Sequence, residues 1–154
     1  MSIEFALTNA RIVLEDEVVS GSVLVRDGKI ADISQGPSQA GEDFGGDYLV
    51  AGLVELHTDH LEAHYSPRPG VRWNKMSAIQ AHDAQVATSG ITTVFDCLRM
   101  GSDEDGGFEL GEMRDMADAL AAEVGGGRLR AAERLQLRGD GAAPDVLDPW
   151  AGCG

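Results

Sequence analysis

Apolar and polar positions divide the chain into three zones. In residues 3–50 they alternate with the short period of β-structure. Phe5-Ala6-Leu7 and Arg11-Ile12-Val13-Leu14 read as strands on either side of a Thr8-Asn9-Ala10 turn. Ser22-Val23-Leu24-Val25-Arg26 and Lys29-Ile30-Ala31-Asp32-Ile33 bracket Asp27-Gly28, a two-residue hairpin signal. Residues 34–47, rich in Gly, Ser, Gln and Pro, have no period and predict an exposed loop. The zone carries no chemistry, and a small β-module that packs against something else is the expected structure.

In residues 48–124 strand patterns alternate with helix patterns. Tyr48-Leu49-Val50-Ala51-Gly52-Leu53-Val54-Glu55-Leu56 is a nearly continuous apolar run, as in a strand buried on both faces, and it ends in His57-Thr58-Asp59-His60. Ser66-Pro67-Arg68-Pro69-Gly70 is too proline-rich for helix and predicts a loop. Asn74 suits the cap of a helix from Lys75 to about Ser89, with Met76, Ile79, Val86 and Ala87 on one side and Gly90 as its stop. Ile91-Thr92-Thr93-Val94-Phe95 is a β-branched strand ending at Asp96. After Gly111, the positions Met113, Met116, Ala117, Leu120, Ala121 and Val124 form the stripe of an amphipathic helix, which Gly125-Gly126-Gly127 terminates. Residues 128–154 open on a strand, Arg134-Leu135-Gln136-Leu137-Arg138, and then lose periodicity. The order predicts an α/β fold with a parallel sheet and right-handed crossovers. It supplies too few βα units to close an eight-stranded barrel, which takes ~250 residues.

Composition narrows the function classes. Over 154 residues the net charge is −14, with acidic groups spread along the chain, which argues against a nucleic-acid surface. The N-terminus lacks a basic segment followed by an apolar run, and no apolar stretch reaches the ~18–20 residues of a membrane span. Cys97 and Cys153 form no CxxC pair and fit a reduced, cytoplasmic chain. Oligomeric state is left open.

The candidate chemistry sits at His57-Thr58-Asp59-His60. Residues i and i+2 of a strand share a face, so His57 and Asp59 can meet at a strand's C-terminal end, where parallel α/β folds bind ligands. An imidazole and a carboxylate suit a divalent ion such as Zn, Mn or Fe. A hydrogen-bonded loop pair satisfies the same spacing. Asp96 ends the second strand at that edge, placed either to orient a ligand or to cap. Arg68, Arg72 and Arg99 are loop arginines of the type that grips a polyphosphate bidentately, and equally of the type found on any surface. His64 reads as a solvated loop residue and His82, mid-helix, as a hydrogen-bonded structural one. Asp103-Glu104-Asp105-Gly106-Gly107 lacks the spacing of a calcium loop.

Ala51-Gly52-Leu53-Val54-Glu55-Leu56-His57-Thr58-Asp59 resembles the entry strand of the amidohydrolase superfamily barrel. Ser66-Pro67-Arg68-Pro69-Gly70-Val71, Ala81-His82-Asp83-Ala84, Ser89-Gly90-Ile91-Thr92-Thr93-Val94-Phe95-Asp96 and Glu133-Arg134-Leu135-Gln136-Leu137-Arg138 are similar to its PhnM-like branch, and the resemblance covers roughly residues 3–138. It implies a β-sandwich-like module over 3–50, the first βαβαβ portion of a (β/α)8 barrel over 51–138, and a degraded or truncated tail over 139–154. It also implies a divalent metal, Zn or Mn, on His57 and Asp59. The implied substrate is a small phosphorylated molecule, α-D-ribose 1-methylphosphonate 5-triphosphate, from which pyrophosphate leaves. Arg68 and Arg99 would then be substrate-binding. Two departures weigh against activity in this chain. After Leu137-Arg138 the family carries Cys-Glu, whose carboxylate is expected to bridge metals, and Gly139-Asp140 stands here, with Asp140 a shorter substitute. Glu133 and Gln136 stand where the family tends to have histidines, and the later strands with further ligands and a catalytic carboxylate are absent. The expectation is an inactive N-terminal fragment of a phosphoric-anhydride hydrolase, with no catalytic residue assigned. Another amidohydrolase (a cyclic-amide hydrolase or deacetylase) and a non-catalytic remnant or binding module are the alternatives.

Overall fold

A computed structural model describes residues 3–100 and 110–139 of the chain. The described residues divide into two compact units, the boundary falling between Ala51 and Gly52. In the first, β1 (Glu4–Val13), β2 (Val18–Arg26), β3 (Lys29–Gln35) and β4 (Glu42–Asp43) lie in the order β3-β2-β1-β4, with β5 (Tyr48–Leu49) also on β1. Asp27 and Gly28, at φ 51° and 75°, turn β2 into β3 as the Asp-Gly signal requires. Ala10, Ile12 and Val23 form the core, flanked by Val25, Phe44 and Leu49.

Thr8-Asn9-Ala10 is not a turn between two strands. β1 runs through it, and the register with β2 slips between Leu7 and Ala10. Asn9 takes the left-handed conformation (φ 54°), which Asn tolerates better than most residues. Its amide holds it there: Nδ2 donates to the Ser38 carbonyl and to Asp43 Oδ1, both at 2.9 Å, and Oδ1 accepts from the Ser38 amide at 3.0 Å.

The second unit has β6 (Leu53–Thr58), α1 (His60–Tyr65), α2 (Lys75–Thr88), β7 (Ile91–Met100), α3 (Leu110–Gly125) and β8 (Ala132–Gly139). The three strands form a parallel sheet in the order β6-β7-β8, so the α/β reading holds. Asn74 caps α2, its Oδ1 accepting from the Ser77 amide at 3.1 Å, and Gly90 ends it at φ 78°. Leu61, Tyr65, Ala78, Ile79, Leu98, Met113, Met116 and Leu120 make the core between helices and sheet.

Four expectations change. The buried face of α2 is Ala78, Ile79, His82, Asp83 and Val86, while Met76 is exposed. Two polar residues occupy core positions there, so a stripe drawn from apolar residues alone is rotated away from the true face. Residues 60–65 form a helix rather than the start of a loop, because Leu61 and Tyr65, one turn apart, both reach the core. β7 does not stop at Asp96 but continues to Met100, since Asp96 is buried with a partner. The apolar run at 48–56 breaks into β5 and β6. Among the described residues β6 has one neighbour, and Leu53, Val54 and Leu56 stay exposed. No helix among the described residues is long and apolar enough to cross a membrane.

Candidate metal centre

The parallel register pairs Thr58 with Asp96 and Cys97 with Gln136, and slips between Glu55 and Thr58. With side chains alternating along each strand, this brings His57, Cys97, Gln136 and Arg138 to one face of the sheet, and Asp59, just past β6 at the N-cap of α1, joins them. His57 Nδ1 lies 3.0 Å from Cys97 Sγ, and His57 Nε2 lies 3.9 Å from Asp59 Oδ1. Cys97 donates to Gln136 Oε1 at 3.4 Å, and Arg138 Nη1 donates to Asp59 Oδ2 at 2.7 Å. The His57 and Asp59 side chains are about half exposed, whereas Cys97 is buried. His57 and Asp59 border a cleft of about 490 Å³ that also reaches His60, His82 and Gln85.

One donor atom from each of His57, Asp59 and Cys97 lies within 4.8 Å of the others. Imidazole, carboxylate and thiol together suit a borderline divalent ion, so the residues present fit the cation that the resemblance implies. Burial, and then the charge of Asp59, push the Cys97 thiol above its ordinary pKa. In the metal-free chain it therefore stays a thiol, and cation binding must displace its proton.

His57 and Asp59 come together as the spacing suggests. Asp140 lies outside the described residues, as does the run 103–107. Neither Arg68 nor Arg99 lines the cleft. The Arg68 carbonyl accepts from Val71 in the proline-rich loop, and the Arg99 amide donates to Glu62 Oε1 at 3.2 Å. Arg72 bonds Glu112 and Ser66 and braces α1 against α3. Asp96 faces away from His57 and bonds His82 Nε2 through Oδ1 at 2.7 Å, which gives His82 the structural partner expected of it. His64 is in α1, not a loop, and its Nε2 lies 2.9 Å from Gln85 Oε1. Cys97 is the residue sequence reasoning missed. Its signal was the alternation Phe95, Cys97, Arg99, visible only if the strand is carried past Asp96.

No family model matches the chain. It is 42% identical over 134 residues to a protein of Escherichia coli (strain K12), covering 86% of this chain and 35% of that protein. N-acetyl-D-glucosamine-6-phosphate deacetylase from Mycobacterium smegmatis superposes with a TM-score of 0.54 at 18% identity, covering 89% of this chain and 33% of that one. L-hydantoinase from Arthrobacter aurescens gives 0.53 at 22% identity, over 94% of this chain and 29% of that one. These structures show the fold. The Escherichia coli relative, to which the chain is similar in sequence, is alpha-D-ribose 1-methylphosphonate 5-triphosphate diphosphatase. The chain spans about a third of that relative's length.

Proposed function

We propose that this chain carries the first metal-binding strands of a cytoplasmic, metal-dependent hydrolase of the phosphonate pathway. Its reaction would release pyrophosphate from α-D-ribose 1-methylphosphonate 5-triphosphate. The observation that supports this most directly is the His57–Asp59–Cys97 group at the C-terminal edge of a parallel sheet, in a chain 42% identical to the Escherichia coli diphosphatase. A bound divalent cation, Zn or Mn, would supply a coordinated water of lowered pKa and neutralise charge on a phosphoryl oxygen. The protein residues do the rest of what is present here. Arg138 fixes the rotamer of Asp59 by a bond to Oδ2, leaving Oδ1 turned toward His57. Gln136 Oε1 accepts from the Cys97 thiol and holds it in the metal-free chain. No group in this set is placed to act as general acid to a leaving pyrophosphate, so the chain by itself is proposed to be inactive.

Cobalt(II) titration of the purified chain tests the site. A thiolate-to-metal charge-transfer band should appear, should be lost in Cys97→Ser, and should form with at least tenfold weaker affinity in His57→Ala, by analogy with losses seen even for outer-shell partners. Absence of the band would leave the non-catalytic remnant as the better reading. Pyrophosphate release by the Zn- or Mn-loaded chain would overturn the proposed inactivity.

A further inference from the structure

The opposite face of β7 carries a second group of ionisable side chains. His82 from α2, Asp96 from β7 and Glu133 from β8 are 1%, 0% and 5% exposed. The register explains their meeting: Glu133 sits opposite Val94, two positions before Asp96 on the same face, and α2 lies over that face. One hydrogen bond joins them, from His82 Nε2 to Asp96 Oδ1. Among the described residues, His82 Nδ1, Asp96 Oδ2 and both carboxylate oxygens of Glu133 have no partner. Four orphaned polar atoms on side chains this buried are costly, the more so for a charge.

We propose that His82, Asp96 and Glu133 form a buried structural site for a divalent transition-type cation, distinct from the His57–Asp59–Cys97 group. One donor atom from each residue lies within 4.8 Å of the other two. A nitrogen and two carboxylate oxygens suit zinc or manganese. A single proton on Glu133 could satisfy one of its oxygens and one acceptor, leaving other atoms orphaned. A cation contacts all three residues at once. The surroundings favour positive charge: Asp83, also fully buried, adds to the negative field, and its partner Arg130 is 71% exposed at the side chain. His64, whose ring is 5.6 Å from that of His82, is a further titratable group against it. The bound ion would clamp α2 to β7 and β8, the elements that position Cys97 and Gln136. The inference stands on burial and unsatisfied atoms, independently of the catalytic reading.

Cobalt(II) and zinc are the probes. The unaltered chain should bind two equivalents of cobalt(II), only one of them with a thiolate charge-transfer band. The His57→Ala/Cys97→Ser double variant should keep one equivalent, showing d–d absorption without that band. In it, chelation should lower the thermal midpoint. Glu133→Gln, nearly isosteric, should bind the band-free equivalent at least tenfold more weakly while keeping the thiolate-bound one. One equivalent in the unaltered chain with none in the double variant would overturn the proposal, as would unchanged band-free binding in Glu133→Gln. Should Glu133→Gln fail to fold, the metal count of the unaltered chain and the double variant still decides, because neither alters this cluster.

Discussion

Replacing Asp83 with alanine removes the acceptor that ties α2 to the entry of β8. Asp83 Oδ1 accepts from the amides of Arg130 and Ala131 at 2.8 and 2.9 Å, and Oδ2 accepts from Arg130 Nη1 at 3.2 Å. Ala131 is buried, so its amide would lose its partner with no access to water, a cost of about 1–3 kcal/mol. The Arg130 amide is better placed for solvent and should cost about 1 kcal/mol. The ion pair adds little, because the guanidinium is mostly exposed. Asp83→Ala should therefore destabilise the second unit by roughly 3 kcal/mol. Asp83→Asn keeps an Oδ1 acceptor for both amides and should cost about 1 kcal/mol. Urea unfolding followed by far-ultraviolet circular dichroism measures both. Because β8 carries Gln136 and Arg138, cobalt(II) affinity at the thiolate site should fall in the same order. Equal losses for the two variants would refute this reasoning, since they would mean that the charge, not the amide acceptor, matters.

Two further predictions concern the same unit. Asn74→Ala removes the side-chain acceptor of the Ser77 amide and should cost about 1 kcal/mol in urea unfolding, with Asn74→Asp restoring most of it. In the chelated chain, burial and then the charges of Asp96 and Asp83 raise the Glu133 carboxyl to about 8, against an ordinary 4.5. The unfolded chain loses this proton first, so the folded state binds more protons between those values. The stabilisation is complete below about pH 4.5 and declines by up to about 1.4 kcal/mol per pH unit as pH rises toward 8. Glu133→Gln should flatten that slope in urea midpoints between mildly acidic and neutral pH, and an unchanged slope would assign the pH dependence to other groups.

Local signals carried much of the fold. The Asp27-Gly28 hairpin, the Asn74 cap, the Gly90 stop and the Met113, Met116 and Leu120 part of the α3 stripe each depend on a few neighbouring residues, and these reappear in the structure. Ala121 and Val124 of that stripe are exposed, and Glu123 is buried instead. What sequence reading missed depends on distant contacts. Asp96 reads as the polar end of a strand until His82, 14 positions earlier, is known to meet it in the interior. α1 is short and has no side-chain cap hydrogen bond, so contacts with distant residues, the burial of Leu61 and Tyr65 and the bond of Glu62 to the Arg99 amide, support it. The bulge at Asn9 is set by Ser38 and Asp43, about thirty residues away. His57 and Asp59 were legible because they are only two positions apart at a strand end, although Asp59 itself lies just past β6 as the N-cap of α1. Cys97 was not, because its membership of that group depends on a strand end that His82 decides.

β7 therefore links the two candidate centres through adjacent residues. Asp96 is directed into the helix-covered layer with His82, and Cys97 to the opposite face with His57 and Gln136. A one-residue slip of β7 would exchange them, putting a carboxylate beside His57 and a thiol in the buried layer. The His82–Asp96 bond opposes that slip, since the slip would strand a buried imidazole without its acceptor. The buried group thus acts on the exposed one through register rather than contact. A variant such as Asp96→Ala should then lose the thiolate charge-transfer band although Asp96 belongs to the other face. Retention of the band at full affinity in a folded Asp96→Ala chain would show that strand pairing with β6 and β8 suffices to hold the register.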